Sequence, residues 1–152
     1  MLELVIGNKN YSSWSMRPWV LLRHFGIPFE ERKLRFDFTP GSAFYAALAK
    51  VTPAGKVPVL LDHGDPRDDT APSAPLAIWD TLAITEYVAE RFPQHAVWPR
   101  DARARARARS LAAEMHAGFV PLRSHCGMNI EARLPEVGQR IVAEQAGVRA
   151  DL

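Results

Sequence analysis

Cysteine is nearly missing from this chain. Cys126 is the single example in 152 residues, so no internal disulfide can form. That fits a reducing compartment, and cytoplasmic residence is the expectation. No Cys-x-x-Cys pair exists, which argues against disulfide exchange by the chain's own thiols. Long apolar runs are missing too. None approaches the ~20 residues a membrane helix needs, so no membrane association is expected. The N-terminus has no basic region followed by a long apolar segment, so no secretory leader is expected. Charge of one sign is not in excess: 19 Lys and Arg against 17 Asp and Glu leave a net +2. Arg103, Arg105, Arg107 and Arg109 alternate with alanine. On a helix, residues two apart advance about 200°, so these arginines split between two faces and no aromatic platform joins them. Nucleic acid is not an expected partner.

Metal-ligand spacing is also lacking. Asp62, Asp65, Asp68 and Asp69 fall in an Asp-, Pro- and Ser-rich loop from Asp62 to Pro75. Their spacing is not that of an EF-hand loop and no closing glutamate follows, so a solvated loop is expected and no metal.

What is present is ordinary in bulk and ordered in detail. Hydrophobic residues make up 47% and charged residues 24%, the balance of a soluble globular chain. Up to residue 93, short strand-like and helix-like segments alternate. Leu2–Ile6, Pro28–Phe36, Val57–Leu61 and Leu76–Trp79 read as strands. A helix beginning in the turn before Pro18 and running to Phe25, then Ser42–Ala49 and Asp80–Phe92, read as helices, with Gly26 and Pro93 as stops. The order is β-α-β-α-β-β-α, the thioredoxin-like order. After Pro99 the chain is helical and alanine-rich. Asp101 is the expected N-cap of a helix to about Ser124, kinked or shortened by Pro121, and Pro135–Gly147 reads as a further helix. The expected organisation is therefore an α/β thioredoxin-like domain at 1–93 and part of an all-α domain at 100–152. The second is short for a free-standing helical domain, so the helical half is expected to be incomplete.

The turn after the first strand carries the most chemistry. Asn10-Tyr11-Ser12-Ser13-Trp14-Ser15-Met16-Arg17 joins a strand to a helix. A helix N-terminus offers unpaired N–H groups and a partial positive charge, which suits an anion. Where a dithiol oxidoreductase would place two cysteines, this chain places Ser12 and Ser15. Taken alone, the serines could equally serve only as helix caps.

These residues resemble those of the glutathione transferase superfamily, and the serine-type, zeta-like branch with its Ser-Ser-Cys-Ser-Trp-Arg turn in particular. Two further stretches in the matching order add to the likeness: Gly55-Lys56-Val57-Pro58-Val59-Leu60, and Ile78-Trp79-Asp80-Thr81 running on to Val88. The resemblance covers 1–93 well and 100–150 loosely. It implies glutathione as co-substrate with no tightly bound cofactor, a small electrophile as second substrate, a detoxification role, and a homodimer in the full-length family form.

The resemblance also implies roles. The thiol of glutathione would be held as thiolate by Ser12 or Ser13. The glutaredoxin pattern Tyr-Cys-x-x-Cys-x-Arg/Lys lays its nucleophile on Ser12, whereas counting back from Arg17, as in theta- and delta-like members, favours Ser13. Lowering a thiol pKa from about 8.5 by two units takes roughly 2.7 kcal/mol. A hydrogen bond to an anion supplies about 1.5–3 kcal/mol, and a helix N-terminus roughly 0.3–2 kcal/mol, so no neighbouring cation is required. Ser15 would join the glutathione site. Val57-Pro58 would be cis and pair the cysteinyl backbone in the manner of an added strand. Thr81 would hold the γ-glutamyl carboxylate, with Asp80 beside the ammonium, and Lys56 would meet the glycyl end. The second substrate would lie against Trp14, Met16, His116, Phe119 and Arg123; the last three, at i, i+3 and i+7, would share one helical face. A binding module without turnover, or an inactive fragment of a longer transferase, is the alternative.

Overall fold

A computed structural model describes residues 1–65 and 74–152. Asp68 and Asp69 of the acidic loop lie outside the described residues. The chain divides into two compact units, Met1–Val97 and Trp98–Leu152.

The first unit is built on β1 (Leu2–Ile6), α1 (Ser13–His24), β2 (Glu30–Lys33), α2 (Ala43–Ala49), β3 (Val59–Asp62), β4 (Leu76–Trp79) and α3 (Thr81–Arg91). The sheet order is β2-β1-β3-β4. β1 runs parallel to β2 and antiparallel to β3, and β3 is antiparallel to β4. This is the thioredoxin-like arrangement. Side chains alternate across each strand, so one sheet face receives Leu2, Leu4, Ile6 and Leu60. There they pack with Leu22 of α1 and with Ile84 and Val88 of α3. The opposite face gathers Val5, Val59 and Leu61 with Leu34, Val51 and Val57. β3 is apolar on both faces because it is central.

β2 and β3 are shorter than their apolar patterns suggest. Pro28 and Pro58 have no N–H to give a ladder, so each strand starts beyond its proline. Gly7, which follows β1, is fixed by crowding: a Cβ there would stand 2.2 Å from Phe36 Cζ. The Phe36 ring stacks on Phe38 and meets Phe44 edge-on.

The second unit comprises α4 (Ala102–Ala117), α5 (Val120–His125), α6 (Pro135–Glu144) and α7 (Ala146–Asp151). Asp101 caps α4, its Oδ1 accepting from Ala104 N–H at 2.8 Å. A helix from 102 to about 124, kinked or shortened by Pro121, is the sequence expectation; the structure ends it at Ala117 and starts a second helix at Val120. Gly118 is extended, and a Cβ there would meet the Glu114 carbonyl oxygen at 2.7 Å. Phe119 is left-handed at φ 53°, and Pro121 enters in the first turn of α5, where its missing N–H costs nothing. The expected helix 135–147 is likewise divided. Arg149 donates to the carbonyls of Val142 and Ala143, closing the end of α6. Asp151 accepts from the Leu122 N–H at 2.9 Å, and Gly147 comes close to Pro121, so α7 lies on α5. Val148 is buried there, while α4, α5 and α6 bury no residue.

Candidate functional site

Strand register gathers three segments at one end of the sheet. β1 ends at Ile6 and leads into the serine turn. Val59, the first residue of β3, lies opposite Val5 near the end of β1 and opposite Trp79, the last residue of β4. The Val57-Pro58 bond just before Val59 is cis, as the resemblance implies. α1 follows β1 and α3 follows β4, so both helix N-termini open at this same end. Three stretches distant in sequence thus share one edge: Gly7–Ser15, Val57–Pro58 and Asp80–Thr81.

The serine turn is shaped by Asn8. Its carbonyl accepts from Tyr11 N–H and Ser12 N–H, and its Oδ1 accepts from Phe36 N–H at 2.9 Å. Gly7-Asn8 after the apolar run is a turn signal in the sequence, whereas the bond from Phe36 N–H to the Asn8 side chain shows only in the fold. Ser12 is the N-cap of α1: its Oγ accepts from Ser15 N–H at 3.3 Å. Its hydroxyl donates to Ser15 Oγ at 2.8 Å. Ser15 Oγ in turn accepts from Gly7 N–H at 3.1 Å, at the end of β1. Ser15 therefore stands behind Ser12, turned into the protein, and both are buried. Ser13 is the first helical residue and half-buried.

Asp80 caps α3, accepting from Leu82 N–H at 2.9 Å, with φ at 76°, a value side-chain-bearing residues rarely adopt. Thr81 follows as the first residue of α3 and is buried. Lys56 is exposed. Lys9, beside the serine turn in sequence, is ion-paired with Glu31. Glu31 also accepts from Trp19 Nε1 at 2.7 Å and from Arg23, and the Lys9 hydrogen bond leads the causes that hold its carboxyl down at about 2.

Asp62 is the last residue of β3 and structural. Tyr87 donates to it at 2.6 Å and Gly64 N–H at 2.8 Å. Burial works to raise the Asp62 pKa, and these donors hold it below its ordinary value. Among the described residues no group of three or more His, Cys, Asp and Glu is placed to hold a metal.

Of the residues expected at the second-substrate site, Trp14 and Met16 belong to the first unit. The Arg17 guanidinium lies 4.0 Å from the Trp14 ring centre, and Met16 is exposed. His116, Phe119 and Arg123 belong to the second unit and do not share a helical face. The break at Gly118–Phe119 puts His116 in α4 and Arg123 in α5. Arg123 Nη1 donates to the carbonyls of Met115 and His116, closing the end of α4.

Residues 11–91 match the family described as "Glutathione S-transferase, N-terminal domain". The chain belongs to the glutathione S-transferase family. It is 32% identical over 124 residues to Glutathione S-transferase 1 of Dianthus caryophyllus, covering 81% of this chain and 50% of that one. It is 30% identical over 90 residues to a zeta-class glutathione S-transferase of Euphorbia esula, covering 59% of this chain and 34% of that one. The chain thus spans half the length of the first relative and about a third of the second. Among solved structures, a glutathione transferase homolog from Burkholderia gl BGR1 with bound glutathione superposes at a TM-score of 0.57, with 27% identity over 81% of this chain and 57% of that one. Among the described residues of this family member, no helix is long and apolar enough to cross a membrane.

Proposed function

We propose that this transferase-family chain binds glutathione at the sheet end described above and holds its sulfur as a thiolate, with Ser12 as the hydroxyl donor. The observation that carries the reading is the placement of Ser12 at the N-cap of α1, on the same sheet edge as the cis Val57-Pro58 bond. A sulfur there would meet one hydroxyl and the positive end of α1 together. Ser13, one residue on, is the alternative donor. Val57 would pair its backbone with the cysteinyl residue, Thr81 and the α3 N-terminus would hold the γ-glutamyl carboxylate, Asp80 would stand by its ammonium, and Lys56 would meet the glycyl end. The bound thiolate would attack a small electrophile beside Trp14 and Met16, or assist its isomerisation, by proximity and charge stabilisation. The family likeness and the Burkholderia relative crystallised with glutathione support glutathione as the thiol.

A second reading keeps the glutathione pocket without turnover. It is favoured by the thin core of the second unit, where α4, α5 and α6 bury no residue. Calorimetric titration with glutathione beside turnover of a chromogenic electrophile separates the two. Binding with turnover is the expected result. Binding alone selects the module, and no binding rejects both.

A further inference from the structure

We propose that Ser15 is a positioning residue that sets which way the Ser12 hydroxyl presents its proton to a bound thiol. The proposal rests on the reading of Ser12 given above.

Each of the two serine oxygens accepts one fixed backbone donor. Gly7 N–H donates to Ser15 Oγ at 3.1 Å, and Ser15 N–H donates to Ser12 Oγ at 3.3 Å. The oxygens are 2.8 Å apart, so a single hydroxyl proton lies between them. A hydroxyl has one proton and two lone pairs, and backbone amides cannot reverse their sense. Two arrangements follow. With Ser12 as donor, Ser12 Oγ keeps a lone pair for the outside and can accept from a neutral S–H. With Ser15 as donor, both lone pairs of Ser12 are filled and its own proton is free to point outward.

Only the second arrangement stabilises a thiolate. When glutathione loses its proton to solvent, the pair reverses by rotation of two hydroxyls. Each serine keeps its proton throughout, and no covalent bond in the protein changes. A helix cap needs only Ser12; it does not need a hydroxyl at Ser15. Yet Ser15 is 3% exposed, aimed at Ser12 and anchored to the end of β1 through Gly7. Those bonds hold the Ser12 oxygen in register with the sheet edge, in both senses of the pair.

The test is the ultraviolet absorbance of thiolate in glutathione-saturated protein, followed against pH for wild type, Ser12→Ala, Ser15→Ala, Ser15→Thr and the double alanine variant. Ser15→Ala is expected to raise the apparent pKa of the bound thiol by roughly half a unit, because the bond between the serines, present in both senses, strengthens the Ser12 hydroxyl as a donor only when that hydroxyl points at the sulfur. Ser15→Thr, which restores the hydroxyl, is expected to recover most of that shift. The double variant is expected to move no further than Ser12→Ala alone, because Ser15 acts through Ser12. A shift in Ser12→Ala with none in Ser15→Ala overturns this proposal and leaves the reading of Ser12 standing. An unchanged titration in Ser12→Ala removes that reading and this proposal together. If Ser15→Ala does not fold, Ser15→Cys, near in size and a weak donor, carries the same comparison: a raised pKa supports the proposal and an unchanged one overturns it.

Discussion

The Tyr87 hydroxyl donates to Asp62 Oδ2 at 2.6 Å and ties α3 to the end of β3. Asp62 is 8% exposed and also takes the Gly64 N–H. Burial first, and then this hydrogen bond, push the Tyr87 hydroxyl up to about 12. Removing the donor leaves Asp62 Oδ2, among the described residues, with only the Arg91 ion pair at 3.7 Å. Tyr87→Phe should therefore lower unfolding stability by about 1–3 kcal/mol in a denaturant titration. A loss within a few tenths of a kcal/mol would mean that solvent replaces the bond.

Glu31 gives a pH signature. Its folded pKa of about 2 lies below the ordinary 4.5, so its bonds to Lys9, Trp19 and Arg23 stabilise the fold above about pH 4.5. That contribution falls as the pH drops toward 2. Glu31→Gln should melt below wild type at pH 7, and the gap should narrow steadily from pH 4.5 to 2. A gap independent of pH would show that packing rather than charge is responsible. Lys9 and Arg23 are largely exposed, so added salt should reduce the difference.

Gly7 should tolerate no side chain. A Cβ would overlap the Phe36 ring at 2.2 Å, and that ring is held by Phe38 and Phe44. Gly7→Ala is expected to cost about 1–3 kcal/mol by overpacking. Thermal melts of Gly7→Ala and of Gly7→Ala with Phe36→Leu distinguish this from backbone strain: the smaller partner should recover part of the loss.

Thr81→Val should weaken glutathione binding by roughly ten-fold or more if its hydroxyl holds the γ-glutamyl carboxylate, since a hydrogen bond to a charged group is worth about 1.5–3 kcal/mol. Calorimetry of the variant is the check. Unchanged affinity would reduce Thr81 to a helix-start residue.

The sheet end was legible because each part has a local chemical signature. Serines at a strand-to-helix turn, Val57-Pro58 before an apolar strand, and Asp80-Thr81 before a periodic helix each show in the sequence. Asp101 was legible for the same reason, as a capping side chain ahead of an alanine-rich run. The inward turn of Ser15 was not legible, because its partner is the backbone N–H of Gly7, which shows nothing in the side-chain pattern. Pro121 signals an interruption of the helix, but its position before Phe119 was not legible, because spacing alone joins His116, Phe119 and Arg123. A close approach to the Glu114 carbonyl and the left-handed Phe119 decide it. Arg123, expected against the second substrate, instead donates to two α4 carbonyls that the break makes available.

The central claim is that a glutathione sulfur sits against Ser12 at the start of α1. A crystal structure with glutathione bound tests it most directly. The account predicts the sulfur within about 3.5 Å of Ser12 Oγ, hydrogen-bonding distance for a thiolate, with the cysteinyl backbone paired to Val57. A sulfur against Ser13 alone, or one directed away from the serine turn, would contradict it.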